Sequence, residues 1–232
     1  MKSKLYQQSK KNSFNAKDEN TIKGYLNTNG LKKLQIGSGQ HIKNEWLNSD
    51  INPLDGAIYL DATKRFPFDD CIFDYVYSEH MIEHISFPEG LKMLSECYRI
   101  LKPDGIIRLA TPDMLFLIEL YRPSKSKLQN EYIKWATDTF IPDAISYEDI
   151  FVINNFVRDW GHKFIYDEKV LANALGRIGF ANVLRRGINE SEHEELRGLE
   201  NEGRLPDGFL DLETMVLEAK KPVDSGAPQN IF

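Results

Sequence analysis

The octapeptide at residues 78–85, "SEHMIEHI", carries two histidines and two glutamates, and His80, Glu83 and His84 spell H-x-x-E-H. On a helix beginning near Glu79, His84 lies four residues from His80 and Glu83 three, so all three side chains are expected on one face. Two imidazoles and a carboxylate so spaced can bind zinc or another divalent ion. A zinc peptidase needs that motif on a long helix with another ligand further along. Here the motif follows "FDYVYS" (73–78), a strand pattern, without a break. The cluster is therefore expected at the carboxyl end of a central strand, and the peptidase is the weakest reading it permits. The plainest alternative is that Glu83 and His84 hydrogen-bond the loop leading into "SFPEG" (86–90).

A second group of candidates lies upstream. "KLQIGSG" (33–39) ends an apolar strand pattern in Gly37-Ser38-Gly39, which lets the backbone turn tightly and approach a ligand with no Cβ in the way. Asp50 closes the next strand candidate, where a carboxylate can accept hydrogen bonds from ribose hydroxyls, and Asp61 closes the third, placed for an exocyclic amine. Successive strands that deliver a turn glycine or an acid to one sheet edge are what a nucleoside-binding crevice requires. A dinucleotide fingerprint would add a third glycine and an acid about 20 residues on. Gln40 and His41 follow Gly39 instead, and Asp50 is only eleven residues beyond it. A nicotinamide enzyme is thereby disfavoured, and the first crossover helix is expected to be short or missing.

The elements that must position these groups alternate as in an α/β protein. Strands are expected at "KLQIG" (33–37), "WLNSD" (46–50), "AIYLD" (57–61), "FDYVYS" and "IIRLA" (106–110). "PEGLKMLSECYRILKPDG" reads as a crossover helix stopped by Pro103 and a turn at Asp104-Gly105, and "TPDMLFLIELY" as a further helix. Residues 123–160, with Pro123, Pro142 and scattered Trp135, Phe140, Phe151, Phe156 and Trp160, read as an insertion over the sheet. "YDEKVLANALGRIGF" is a helix pattern closing at Gly179, and "ANVLRRG" and "LETMVLEAKK" are the last strands.

Composition narrows the function classes. A chain of 232 residues suits one globular unit, read here as a flexible tail over 1–20, a single domain over 21–222 and a disordered tail over 223–232. A net charge of −6 argues against a general nucleic-acid binder, although a local basic patch stays open. No apolar run approaches the ~20 residues of a membrane span, and the start has no secretory signal, so a cytoplasmic protein is expected. Cys71 and Cys97 are isolated thiols that suit a reducing compartment. The oligomeric state is left open.

Taken together, "LKKLQIGSG", "EWLNSDI", "YLDATKRFPFDDCIFDYVYSEHMIEHI" and "LSECYRILKPDGIIRLATPD" resemble the class I S-adenosylmethionine-dependent methyltransferases, in their bacterial type 11-like branch with a short glycine loop. The resemblance runs from about residue 31 to 121 and resumes at "GHKFIYDEKVLANALGRIGF" and "ESEHEEL". It implies a Rossmann-like, doubly wound, mostly parallel sheet with the insertion covering the active site. The implied activity is methyl transfer from S-adenosylmethionine, with an oxygen of a small molecule or sugar as the expected acceptor. An RNA end or a phenolic quinone precursor, methylated with a metal's help, is the alternative, and a non-catalytic S-adenosylmethionine-binding protein is the rival from another class.

Carried over by position, the resemblance gives Gly37, Ser38 and Gly39 to the methionine moiety, Asp50 to the ribose and Asp61 to the adenine, with Ser78 and His80 beside the sulfonium. Metal-dependent relatives carry an E-x-x-E-H element after the fourth strand; this makes His80, Glu83, His84 and a distal His162 in "DWGHKF" the candidate ligands of a divalent metal. Histidine is the one side chain whose unperturbed pKa suits a base at neutral pH, so His162 and His80 are the expected bases, with His84 behind them. Arg158, Tyr121 and Tyr166 are weaker candidates for shaping the pocket, Asp113 is expected as a turn or helix-start residue near the site, and His193 falls in a charged stretch expected to be solvated.

Overall fold

The computed structural model describes residues 13–223. Seven strands form one sheet: β1 (Lys33–Ile36), β2 (Leu47–Asp50), β3 (Ala57–Tyr59), β4 (Phe73–Glu79), β5 (Leu101–Pro112), β6 (Ala181–Arg186) and β7 (Thr214–Lys220). Their order is β3-β2-β1-β4-β5-β7-β6. The first five pair in parallel, whereas β7 runs antiparallel to both β5 and β6. Leu34, Ile36, Val76, Ile107 and Leu109 are buried in the central strands, whose continuous apolar runs are those of a sheet covered on both faces. The doubly wound α/β expectation therefore holds.

Helices α1 (Ala16–Leu26), α2 (Phe87–Ile100), α3 (Met114–Leu120), α4 (Lys127–Phe140), α5 (Asp149–Arg158), α6 (Glu168–Ile178) and α7 (Phe209–Glu213) complete the fold. Helix α2 starts where the Ser86 backbone N–H and hydroxyl both donate to Glu89, at 2.8 and 2.7 Å. It buries Met93, Leu94 and Cys97 against the sheet. It ends at Ile100, ahead of Pro103, since the residue preceding a proline is pushed out of helical geometry. Asp104-Gly105 then proves to lie inside β5, with Asp104 at φ 65, so a bulge stands where the sequence suggested a turn.

Helices α3, α4, α5 and α7 build a second apolar cluster around Phe116, Tyr132 and Phe156; α4 and α5 fall within the range 123–160 read as an insertion, and α3 and α7 join them from outside it. No helix intervenes between β1 and β2, as the missing third glycine suggested. Helix α1 begins within the segment read as a tail, and the Asp18 carboxylate accepts the N–H of Tyr59 on β3 at 3.1 Å. The rest of the expected N-terminal tail before residue 13, and the C-terminal one after 223, lie outside the described residues. No helix among the described residues is long and apolar enough to cross a membrane.

The charged stretch expected to be solvated is instead clamped to the sheet. Arg108 on β5 is fully buried and pairs with Glu200 at 2.7 Å and Glu218 at 2.6 Å. Leu196 and Leu199 are buried alongside, and His193 packs edge-on against Tyr75. The apolar leucines and the buried ion cluster hold residues 187–201 down, against the pull of their hydrophilic neighbours.

Candidate active site

The parallel strands deliver their carboxyl ends to one edge, and two cavities open there. The first, about 400 Å³, is a crevice lined by Gly37, Gly39, Asp50, Asp61, Met81 and apolar residues including Ile51 and Leu60. The second, about 280 Å³, is a chamber ringed by Tyr132, Trp135, Phe140, Phe156 and Trp160. His80 and His84 line both cavities, so the turn after β4 is the partition between them.

The crevice rests on the glycine loop. Gly37 adopts φ 73, and a Cβ there would come within 2.7 Å of Met81 Cβ. The Asp50 carboxylate accepts the Gly39 N–H at 2.9 Å and the Asn52 N–H at 2.7 Å, bracing the loop against the end of β2. Asp61 accepts both the N–H and the hydroxyl of Thr63, at 2.9 and 2.7 Å, which fixes its carboxylate at the far wall. Ser38 is buried with its hydroxyl unpartnered, and Ser78 donates its hydroxyl to the Ile36 carbonyl at 3.0 Å. Neither serine lines the crevice; Ser78 ties β4 to β1 beneath it, because its side chain alternates to the sheet interior.

The expected helix from Glu79 is not formed. Glu79 is the last residue of β4, His80 takes φ 44, and Ile82–His84 make a single 3-10 turn. The His80 N–H still reaches the Ala110 carbonyl of β5 at 2.8 Å, so the strand ladder overrides the helical spacing. The three side chains nevertheless converge, through the turn. His80 is held at both ring nitrogens, Nε2 by the Thr214 hydroxyl at 2.8 Å and Nδ1 by the Arg204 guanidinium at 2.9 Å. Glu83 is fully buried; one oxygen accepts the Thr111 hydroxyl at 3.0 Å. Its other oxygen, Oε1, has no hydrogen-bond partner and stands 3.4 Å from His80 Nδ1 and 3.9 Å from His84 Nε2. Burial pushes the Glu83 carboxyl up, but the imidazoles of His80 and His84 outweigh it and hold the pKa below the usual carboxylate value.

His162 joins this group because the Glu83 carbonyl accepts the N–H of Lys163 at 2.8 Å and of Phe164 at 3.2 Å, docking that loop onto the turn. Its Nδ1 lies 2.6 Å from the Phe156 carbonyl, which can only accept, so Nδ1 carries the proton and Nε2 keeps a lone pair. Burial lowers the His162 pKa from 6.5, despite the opposing pull of the Phe156 carbonyl and Glu83. His84 makes no side-chain hydrogen bond among the described residues, and its ring packs against that of His162.

Ligand atoms of Glu83, His84 and His162 lie within 4.8 Å of one another, close enough to share an ion. A carboxylate and two imidazoles are a suitable donor set for a transition metal or zinc, and the unpartnered Oε1 fits such a role. His80 is outside this set, its nitrogens being engaged elsewhere. The weaker candidates fall away from the chamber: Tyr121 and Arg158 are exposed, and Tyr166 is buried with its hydroxyl against Gly90. Asp113 starts a helix, as expected; it caps α3 and pairs with Arg185.

Three polar lining residues, Tyr132, Arg204 and Glu213, were not singled out from the sequence. Glu213 accepts the Tyr132 hydroxyl at 2.5 Å and the Arg204 guanidinium at 3.2 Å, a chain along the chamber wall. These three come from α4, α7 and the segment before it, and no local spacing links them.

Residues 35–109 match the family model of the methyltransferase domain. Among solved structures, an S-adenosylmethionine-dependent methyltransferase of Archaeoglobus fulgidus superposes with a TM-score of 0.50 at 18% identity, over 89% of this chain and 92% of that one. A phosphoethanolamine N-methyltransferase of Haemonchus contortus, solved with phosphomonomethylethanolamine and S-adenosylhomocysteine, gives 0.46 at 15% identity, over 89% of this chain and 52% of that one. This chain thus spans about half the length of that protein. No curated protein matches the chain by sequence.

Proposed function

Because this chain carries a methyltransferase domain of the class I fold, we propose that it transfers a methyl group from S-adenosylmethionine to a small molecule held in the aromatic chamber. The observation that carries this is the shared partition: His80 and His84 line both the crevice and the chamber, so donor and acceptor would meet across one turn. S-adenosylmethionine supplies a methyl on a sulfonium, whose thioether is a good leaving group.

This chain's residues position and exclude water. Asp50 would offer its remaining carboxylate lone pairs to ribose hydroxyls, and Asp61, on a wall shared with Ile51 and Leu60, would hold the adenine. Gly37 and Gly39 let the loop close against the methionine moiety, with Ser38 turned inward to support it. His80, tied at both nitrogens, positions the turn and has no open site for a proton. The base falls to His84, whose side chain makes no hydrogen bond among the described residues, with His162 Nε2 beside it; such a base contributes about 10²–10⁴ in rate.

The lining supports a small molecule over an RNA end. Among the described residues Arg204 is the only arginine or lysine of the chamber wall, and it is committed to Glu213 and His80, which leaves a phosphate no partner among them. The decisive experiment titrates S-adenosylhomocysteine and then measures its formation from S-adenosylmethionine with candidate acceptors. Tight binding that Asp50→Ala weakens at least about tenfold is expected. Binding indifferent to Asp50→Ala would remove the ribose assignment, and binding with no turnover on any acceptor would favour a non-catalytic cofactor-binding protein.

A second reading is favoured by the unpartnered oxygen of Glu83: a divalent ion on Glu83, His84 and His162 that lowers the pKa of an acceptor hydroxyl. Elemental analysis of untagged protein, with activity measured before and after a chelator, separates it from the metal-free base.

A further inference from the structure

We infer that the acceptor is a small organic cation, an amine recognised by the aromatic rings of the chamber and by the unpartnered carboxylate oxygen of Glu83. This deepens the methyl-transfer reading and rests on it. The rings form an unbroken series: Tyr132 and Trp135 are 5.6 Å apart, Trp135 and Phe140 5.2 Å, Phe140 and Trp160 5.0 Å, and Trp160 and Phe156 5.6 Å between centroids. Such walls attract a cation through the ring quadrupole, most strongly where water is excluded.

The charges of the chamber do not balance. Glu213 is satisfied by the Tyr132 hydroxyl and by Arg204, whose guanidinium also serves His80. Glu83 is left as a fully buried carboxylate with one oxygen, Oε1, that accepts nothing. A neutral sugar or phenol could give that oxygen a hydrogen bond but would leave only the imidazoles of His80 and His84, 3.4 and 3.9 Å away, to offset its charge in a low-dielectric site. An ammonium group supplies both. The cavity of about 280 Å³ limits the ligand to a small one.

The amine arrives charged and must present a lone pair to react. Its N–H proton passes to an imidazole nitrogen of His84 or His162. The nitrogen lone pair then forms the N–CH3 bond as the S–CH3 bond breaks, sulfur keeping that electron pair. The product amine regains positive charge beside Glu83.

The test uses the full chain saturated with S-adenosylhomocysteine, and compares protonated 2-(dimethylamino)ethanol with its uncharged isostere 3-methylbutan-1-ol by calorimetry at neutral pH. The amine is expected to bind about tenfold tighter or more. Glu83→Gln should reduce that preference towards unity, and Trp160→Leu should weaken the amine several-fold while leaving S-adenosylhomocysteine affinity unchanged. Should Glu83→Gln fail to fold, the amine-to-isostere ratio and Trp160→Leu decide alone. Equal binding of the isostere, tighter binding of phenol, or a stoichiometric divalent ion on Glu83 would overturn the inference. Failure to bind S-adenosylhomocysteine at all would instead overturn the methyl-transfer reading beneath it.

Discussion

The rings of His84 and His162 meet edge-on, 5.0 Å between centroids, and the backbone carbonyl of Glu83 fixes that contact by accepting two consecutive N–H groups just after His162. If the pair shares the base role, removing either imidazole slows the chemical step, and removing His162, which lines the chamber alone, does so without touching the crevice. His84→Ala and His162→Ala are each expected to lower kcat about 10²–10⁴-fold, His162→Ala with S-adenosylhomocysteine affinity unchanged, and the double variant to lose little more than the worse single one. Single-turnover rates together with calorimetry check this; full activity in His84→Ala would exclude it as the base.

Acidification should expose the buried state of His162. Its folded pKa lies below the 6.5 of a free imidazole because burial disfavours the charged ring. The unfolded chain therefore takes up the proton first as the pH drops. The resulting stability is fully present above about 6.5 and is lost as the pH falls below it. Glu83, also depressed, begins to contribute its own loss only below its ordinary 4.5. Urea unfolding at pH 7 and pH 5 should show the wild type losing more stability over that interval than His162→Gln, and equal losses would contradict the assignment.

Gly37 and Gly39 should respond differently to alanine. Both sit at positive φ, 73 and 51, where a Cβ costs about 1–2 kcal/mol. At Gly39 nothing else lies within 4 Å, whereas at Gly37 the new carbon meets Met81. Gly39→Ala is expected to destabilise the protein by only that conformational cost, and Gly37→Ala by about 1–3 kcal/mol more from overpacking. Chemical denaturation of the two variants measures the gap, and its absence would mean that Met81 yields freely.

Breaking the buried ion cluster should loosen the segment over the sheet. Arg108→Met leaves the Glu200 and Glu218 carboxylates buried without their guanidinium, which costs about 3–5 kcal/mol. Because Glu200 also holds the Asn189 N–H at 2.7 Å, protease sensitivity should rise within residues 187–201. Unchanged cleavage there, with lowered stability, would assign the cluster to the core alone.

Much of this was legible in the chain. Short apolar runs bounded by turn signals marked the strands, since a sheet covered on both faces demands such runs, and each turn glycine or acid at a strand's end fell at the crevice because parallel strands share one carboxyl edge: Gly37 after β1, Asp50 on β2, Asp61 after β3. The spacing of His80, Glu83 and His84 was legible too, but its helix was not there to find; hydrogen bonding of His80 to β5 bent the segment into a turn. That turn, not the i,i+4 rule, points Glu83 into a buried site.

What only the tertiary structure decided is the acceptor chamber. Its wall needs Tyr132 from the insertion, His162 from the following loop and Glu213 from the end of α7, with Thr214 at the start of β7 holding His80 behind it. Thr214 faces Pro112 because β7 runs antiparallel to β5, which brings its first residue, and not its last, to the working edge. The sequence by itself determined the fold and the crevice, which are built from local periodicity and strand-end residues. The chamber depends on strand direction and on side chains far apart in the chain, and such relations exist only once the sheet has closed around them.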